Sequence, residues 1–235
     1  DAATHSFSLD ANNAAYDSLA AGETKVVTVS YGVSDGVAAA ANTIDFTVNG
    51  VNDAPTDIIF AAAAPPSGTT SPLTVAHLSA ADPDHGDSVS FSIVAQSTIT
   101  GAAGAFSILN GNELRDDVGS HGSTVDSYDV TVRATDSHGA SYDDTVRLTF
   151  GTNTASDLIA GASGDDIIYA LGSTPAFSGT DVIHAGSGND QVFGQAGNDV
   201  INGGEGADIL TGGTGRDTFQ FSAVSDSAQT APDVI

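Results

Sequence analysis

Nine-residue units fill the last third of the chain: GASGDDIIY (161–169), AGSGNDQVF (185–193), GQAGNDVIN (194–202), GGEGADILT (203–211) and GGTGRDTFQ (212–220). Each sets glycines ahead of an Asp and follows that Asp with three residues, the middle one apolar. A degenerate copy ending SDLIA (156–160) precedes them, and another, FSGTDVIH (177–184), follows an insertion around LGSTPA. A short fixed period means one small unit stacked on copies of itself. Three residues make a strand about 10 Å long whose middle side chain points to one side. Those inward positions are Ile159, Ile168, Ile183, Val192, Ile201, Leu210 and Phe219, every one aliphatic or aromatic. The glycine-rich hexamers reverse the chain with left-handed backbone angles that other residues resist. Two units therefore close one coil of a parallel solenoid.

The Asp residues state what such a coil needs. Asp181, Asp199 and Asp217 are 18 residues apart, as are Asp190 and Asp208. In a two-unit coil that step returns to the same side, about 4.8 Å along the stack. Each side then carries a row of carboxylates that repels itself unless cations lie between them. Glycine turns add backbone carbonyls, and Ca²⁺ takes six to eight hard oxygens in flexible geometry, whereas Mg²⁺ keeps its waters and a strict octahedron. One apolar side chain per unit is too little burial to offset the ordering of so glycine-rich a backbone. Metal binding then becomes part of the folding free energy, and the segment is expected to be disordered without calcium.

Composition agrees. The formal net charge is −25, from 5 Lys plus Arg against 30 Asp plus Glu, which disfavours nucleic acid and anionic membrane surfaces as partners. Glu occurs only at Glu23, Glu113 and Glu205, so the acid is Asp, the residue of turns and metal loops. Without Cys there is neither a disulfide nor a thiolate metal site, and no apolar run is long enough to span a bilayer. The absence of Met reads as a piece of a longer chain.

The first 150 residues alternate apolar and polar positions: KVVTVSYGV (25–33), TIDFTV (43–48), SVSFSIV (88–94), SYDVTVRA (127–134) and TVRLTF (145–150). Short strands between Gly, Asp and Asn turns predict antiparallel β-sandwiches, with one short helix at ANNAAYDSLA (11–20). NGVNDAPTD (49–57) reads as a stiff joint around Pro55. Three segments follow: 1–53 with about three strands, half a sandwich; 54–150, the length of a whole one; and 151–235, the solenoid.

Residues 151–221 resemble the RTX, or haemolysin-type, calcium-binding nonapeptide repeats, G-G-x-G-x-D-x-U-x with U large and apolar. That resemblance implies a right-handed parallel β-roll with ions held by the sixth-position Asp of two coils and by turn carbonyls. The implied ligands are Asp166, Asp181, Asp190, Asp199, Asp208 and Asp217, with Gly186, Gly188, Gly197, Gly204, Gly206, Gly213 and Gly215 among the backbone contributors. Asp157 follows TNTAS, lacks its glycines, is separated from Asp181 by the 170–176 insertion, and is left out of the set. Residues 54–150 resemble a bacterial cadherin-like domain through VNDAP (51–55), AADPDHGDSVSFSI (80–93) and VRATDSHG (132–139). This implies an interdomain calcium site of Asn52, Asp53, Asp82, Asp84 and Asp136, with Asp126 as a further acidic candidate. Residues 1–53 resemble the C-terminal part of a VCBS repeat through SLDANNAAYDSLAAGE, VSYGVSDG and VNGVNDAP.

Catalytic readings find little support. No H-E-x-x-H, G-x-x-x-x-G-K-[ST] or G-x-S-x-G occurs, and GGTGRD lacks the phosphate-loop Lys. Adjacent Asp143 and Asp144 face opposite ways on a strand, and the histidines are scattered. DPDHGD is no EF-hand, since its twelfth position is Ile93. The chain is thus expected to be non-enzymatic. The resemblances imply a calcium-binding adhesive segment of a large RTX adhesin, passed unfolded through type I secretion and rigidified by calcium at the surface of a Gram-negative-type bacterium. Its implied partners are calcium, neighbouring domains of the same long chain and a surface or biofilm target. The alternative is the non-catalytic C-terminal export and folding module of a type I-secreted enzyme or toxin.

Overall fold

A computed structural model describes residues 7–10, 13–64, 72–101, 103–117, 121, 124–152, 156–171, 179–223, 226 and 233–235. The fold is all-β, and no helix among the described residues is long and apolar enough to cross a membrane. The helix expected over 11–20 shrinks to one 3-10 turn at Ala14–Tyr16. Asn13 caps it, its side chain accepting the Ala15 N–H at 3.0 Å, and Gly22 at φ +84° then redirects the chain into the first strand.

Two compact units divide the chain: residues 1–57, 80–90 and 135–142 form one, and residues 58–79, 91–134 and 143–235 the other. In the first, β1 (Thr24–Ser34) pairs antiparallel with β2 (Ala39–Asn49), Thr24 opposite Asn49 and Ser34 opposite Ala39. Where about three strands are expected before residue 53, the described residues hold these two. Val27, Val29 and Tyr31 lie opposite Phe46, Ile44 and Asn42, while the other face carries Thr28, whose hydroxyl donates to Asp45 at 2.6 Å.

The next strands are β3 (Asp57–Ala62), β4 (Leu73–Ala81), β5 (Ser90–Thr100), β6 (Phe106–Leu109), β7 (Glu113–Asp116), β8 (Asp126–Thr135) and β9 (Ser141–Phe150). One sheet runs β3-β4-β7-β6. Across from it, Arg147–Asp129, Thr131–Thr145 and Arg133–Asp143 pair β8 with β9 in opposite senses, as alternation predicts. On the inward face of these two strands, Tyr128, Val130, Val132, Ala134, Val146, Leu148 and Phe150 are buried. Phe106 of the first sheet meets Tyr128 of the second edge-on at 5.2 Å.

The solenoid alternates strands between two sheets: β10 (Leu158–Ala160), β11 (Asp166–Tyr169), β12 (Val182–Ser187), β13 (Gln191–Phe193), β14 (Val200–Glu205), β15 (Ile209–Thr211) and β16 (Thr218–Phe219). β10-β12-β14-β16 stack in parallel, with Ile159, Ile183, Ile201 and Phe219 in one register column. β11-β13-β15 form the opposite wall, aligning Ile168, Val192 and Leu210. All the inward positions named from the sequence meet in one core, about three coils long.

That second wall is not a separate sheet. β11 pairs in parallel with β9, Leu148 beside Ile167 and Phe150 beside Tyr169, giving a six-stranded sheet β15-β13-β11-β9-β8-β5. Ile167 and Tyr169 therefore continue the buried face of β9, while Ile168 fills the solenoid, and all of β11 is buried. Phe150, Tyr169 and Phe193 stack in succession at 5.8 and 5.1 Å. The Tyr169 hydroxyl reaches the carbonyls of Ala63 and Val75 at 2.9 and 3.0 Å. Gln191 bridges Phe60 O and Ala62 N.

Candidate metal centres

Backbone and carboxylate lock the solenoid coils together in two columns. On one side Asp157 N–H donates to Asp181 Oδ1 (2.8 Å), Asp181 N–H to Asp199 Oδ1 (2.9 Å) and Asp199 N–H to Asp217 Oδ1 (3.0 Å). On the other, Asp166 N–H donates to Asp190 Oδ1 and Asp190 N–H to Asp208 Oδ1, both at 2.9 Å. The fifth-position residues add an outer ladder: Asn189 N–H donates to Asp165, and Ala207 and Arg216 N–H donate to the Asn189 and Asn198 side chains. Asp157, left out of the ligand set, does make a rung, because the longer step of 24 residues still returns to the same register. Its own two oxygens are occupied by the Thr152 N–H and hydroxyl, so it ends the column on that side.

Asp166 Oδ2 accepts the Ala162 N–H of its own turn, and one oxygen each of Asp181, Asp190, Asp199, Asp208 and Asp217 serves a neighbouring coil. The other, Oδ2 of Asp190, Asp199 and Asp208, is buried and accepts no hydrogen bond, on residues at most 1 % exposed. Buried charge left unpaired is strongly unfavourable. Burial, helped by the Asp166 and Asp208 carboxylates, pushes Asp190 up to about 8; burial also lifts Asp166 and Asp181 to about 6 and raises Asp199 and Asp208. No Lys or Arg follows Arg147 except Arg216, so the solenoid supplies almost no base of its own.

The glycines explain where further oxygens come from. Gly206 stands over Gly188 O and Gly215 over Gly197 O, so close that a Cβ on either would overlap the carbonyl, and both hold φ near +140°. Gly204 stands in the same way over Gly186 O, and Gly213 over Gln195 O. The carbonyls of Gly186, Gly188 and Gly197 are therefore aimed at the next coil. Gly203 and Gly212 lie against Oδ2 of Asp208 and Asp217, where a side chain would displace the carboxylate. Hard oxygens alone, from two coils at once, make a donor set suited to Ca²⁺.

A second cluster lies wholly within the first unit. Asp53 N–H donates to Asp84 Oδ2, Asp84 N–H to Asp82 Oδ1, and the Asn52 amide to Asp136 Oδ2, at 2.8, 2.9 and 2.8 Å. The structure thus gathers Asn52, Asp53, Asp82, Asp84 and Asp136, although Asp53 enters through its backbone. Asn52 Oδ1, Asp82 Oδ2 and Asp84 Oδ1 are buried without a hydrogen-bond partner. Two residues join that the sequence reading missed: Asp87, whose carboxylate groups with those of Asp82 and Asp84, and His138, which groups with Asp87 and Asp136. DPDHGD holds Asp87 three residues after Asp84, a spacing that alone marks only a turn. Burial would raise Asp136, but the Asn52 amide and the His138, Gly139 and Ala140 N–H groups outweigh it and keep the acid low. Asp126 does not belong here. It sits in the other unit, bonded to buried His121 at 2.9 Å and to Thr124 at 2.8 Å, because β8 begins there and turns it inward.

A family model for the RTX calcium-binding nonapeptide repeat, in four copies, matches residues 151–173, 176–210 and 184–219. The solenoid is built of RTX repeats. Such repeats bind calcium and are typical of secreted proteins. The first 150 residues lie outside the match. No curated protein and no solved structure matches the chain.

Proposed function

We propose that this chain is a non-enzymatic, calcium-binding structural segment of a large secreted bacterial RTX adhesin, folded and stiffened by extracellular calcium. The observation that carries the reading is the pair of Asp columns in which the buried Oδ2 atoms of Asp190, Asp199 and Asp208 have no hydrogen-bond donor. Bound Ca²⁺ supplies the positive charge those oxygens lack. The chain supplies the rest: Asp166, Asp190 and Asp208 on one side and Asp181, Asp199 and Asp217 on the other, with Gly186, Gly188 and Gly197 directing carbonyls between coils. Asn52, Asp82, Asp84, Asp87 and Asp136 form a separate oxygen cluster of the same class. A sandwich preceding the RTX block supports the adhesin reading over the export module of an enzyme or toxin.

Titrating calcium into the chelated chain, followed by circular dichroism and calorimetry, tests this. A cooperative gain of β signal with several ions bound is expected. An unchanged spectrum after exhaustive EGTA dialysis overturns it. The sequence preceding residue 1 separates the two RTX readings: further sandwich copies support the stalk, and a metalloprotease or lipase motif favours the enzyme.

A further inference from the structure

Asp226 stands 18 residues after Asp208, the interval that relates Asp190 to Asp208, so the period alone puts the next rung at Asp226. The fold puts another residue there. Asp208 N–H donates to Asp233 Oδ1 at 3.1 Å, and Val234 N–H donates to Asp208 O at 2.8 Å. One coil earlier, Asp190 N–H donates to Asp208 Oδ1 at 2.9 Å and Ile209 N–H to Asp190 O at 2.8 Å, the same two bonds. Val234 pairs in parallel with Ile209, and Leu210 N–H reaches Val234 O. Asp226 instead turns Oδ2 to the Ser222 and Ala223 N–H groups and closes a local turn.

We propose that Asp233 is the last acidic ligand of this column, and that Asp208 and Asp233 hold one further calcium ion beyond the repeats. The residue lies past the end of the matched repeats and outside the nonapeptide pattern. Independent of the carboxylate pair, Asp208 is 1 % exposed and its Oδ2 accepts no hydrogen bond. Gly203, lacking a Cβ, lets that oxygen lie against its backbone. The Asp208 N–H bond to Asp233 Oδ1 sets the two acids on successive levels of one column. Arg216 is the solenoid's lone Lys or Arg, and its N–H belongs to the outer ladder of the opposite column. Two facing carboxylates in a donor set of hard oxygens select the same ion as the rungs below.

The inference rests on the solenoid binding calcium at all, and the experiment separates the two. Calcium stoichiometry is measured by equilibrium dialysis on the whole 235-residue chain and on its Asp233→Asn and Asp226→Asn variants. Asp233→Asn keeps an oxygen for Asp208 N–H while losing the charge, so Val234 stays paired with Ile209. Loss of one ion in Asp233→Asn, with none lost in Asp226→Asn, is the expected result. Wild-type stoichiometry in Asp233→Asn, or an ion lost in Asp226→Asn, overturns the proposal. A crystal of the unaltered chain grown in calcium decides independently of either variant. A cation about 2.3–2.6 Å from both carboxylates supports it, and cations on the lower rungs with none there sink it. Wild-type chain that binds no calcium would instead defeat the functional reading.

Discussion

Sandwich and solenoid both bury acids, yet they neutralise them differently. In the sandwich, His121 lies between two carboxylates, Nε2 at 2.6 Å from Asp116 Oδ2 and Nδ1 at 2.9 Å from Asp126 Oδ2, its ring flat on Phe150 at 4.1 Å. Burial alone would lower the His121 pKa, but bonds to Asp116 and Asp126 outweigh it and raise it. The counter-charge is internal. In the solenoid, Asp190, Asp199 and Asp208 are as deeply buried and share only each other's backbone. One region carries its counter-charge in its own side chains; the other has one Lys or Arg, Arg216, for all its acids.

Chelation should break the molecule along that line, and this is the largest effect expected. In EGTA, amide exchange should lose protection across residues 182–219 while 126–150 stay protected. Equal protection in both stretches would end the contrast. Replacing His121 with Leu should act on the sandwich alone. Two buried carboxylates would lose their base, costing about 3–5 kcal/mol, read as a lower Tm of the sandwich transition in saturating calcium.

Acidity sharpens the comparison through its sign. A His with a raised folded pKa stabilises fully below its unfolded value of 6.5, and loses that contribution as pH rises through the higher folded value. Asp190 runs from 3.8 unfolded to about 8 folded, so the metal-free solenoid is penalised increasingly from about pH 4 to pH 8. Calcium reverses only the latter, because ligands bind it deprotonated. Between pH 5 and 8 the calcium midpoint should fall, while sandwich stability declines only above pH 6.5, measured by titration and calorimetry at each pH. A midpoint that rises with pH would contradict the column assignment. The smallest effect belongs to Tyr169→Phe, which removes the hydroxyl from the Ala63 and Val75 carbonyls. A loss of about 1 kcal/mol in chemical denaturation is expected.

Much of the solenoid was readable because its signal is local and repeated. Ile183, Val192, Ile201 and Leu210 occupy the core that their phase predicts, and Asp181, Asp199 and Asp217 stack at the predicted interval. Asp157 was left out because its copy lacks the glycines and an insertion separates it from Asp181, and Asp233 because its step of 25 residues from Asp208 breaks the period. In the first unit, VNDAP and DPD signalled Asn52, Asp82 and Asp84, whereas Asp87 and His138 looked like ordinary turn residues until the fold brought them together. His121 offered no sequence cue, since neither Asp116 nor Asp126 is near it at a recognisable spacing.

Periodicity thus settled the coil, its inward side chains and the stacking interval of its Asp residues, because each follows from a short repeated pattern. It had no hold on three things: the continuation of β9 into β11, the grouping of Asp87 and His138 with Asp136, and the choice of Asp233 over Asp226. Those depend on where strand edges and loop ends meet in space. A loop may lengthen by several residues at small entropic cost while hydrogen-bond registry admits only one landing.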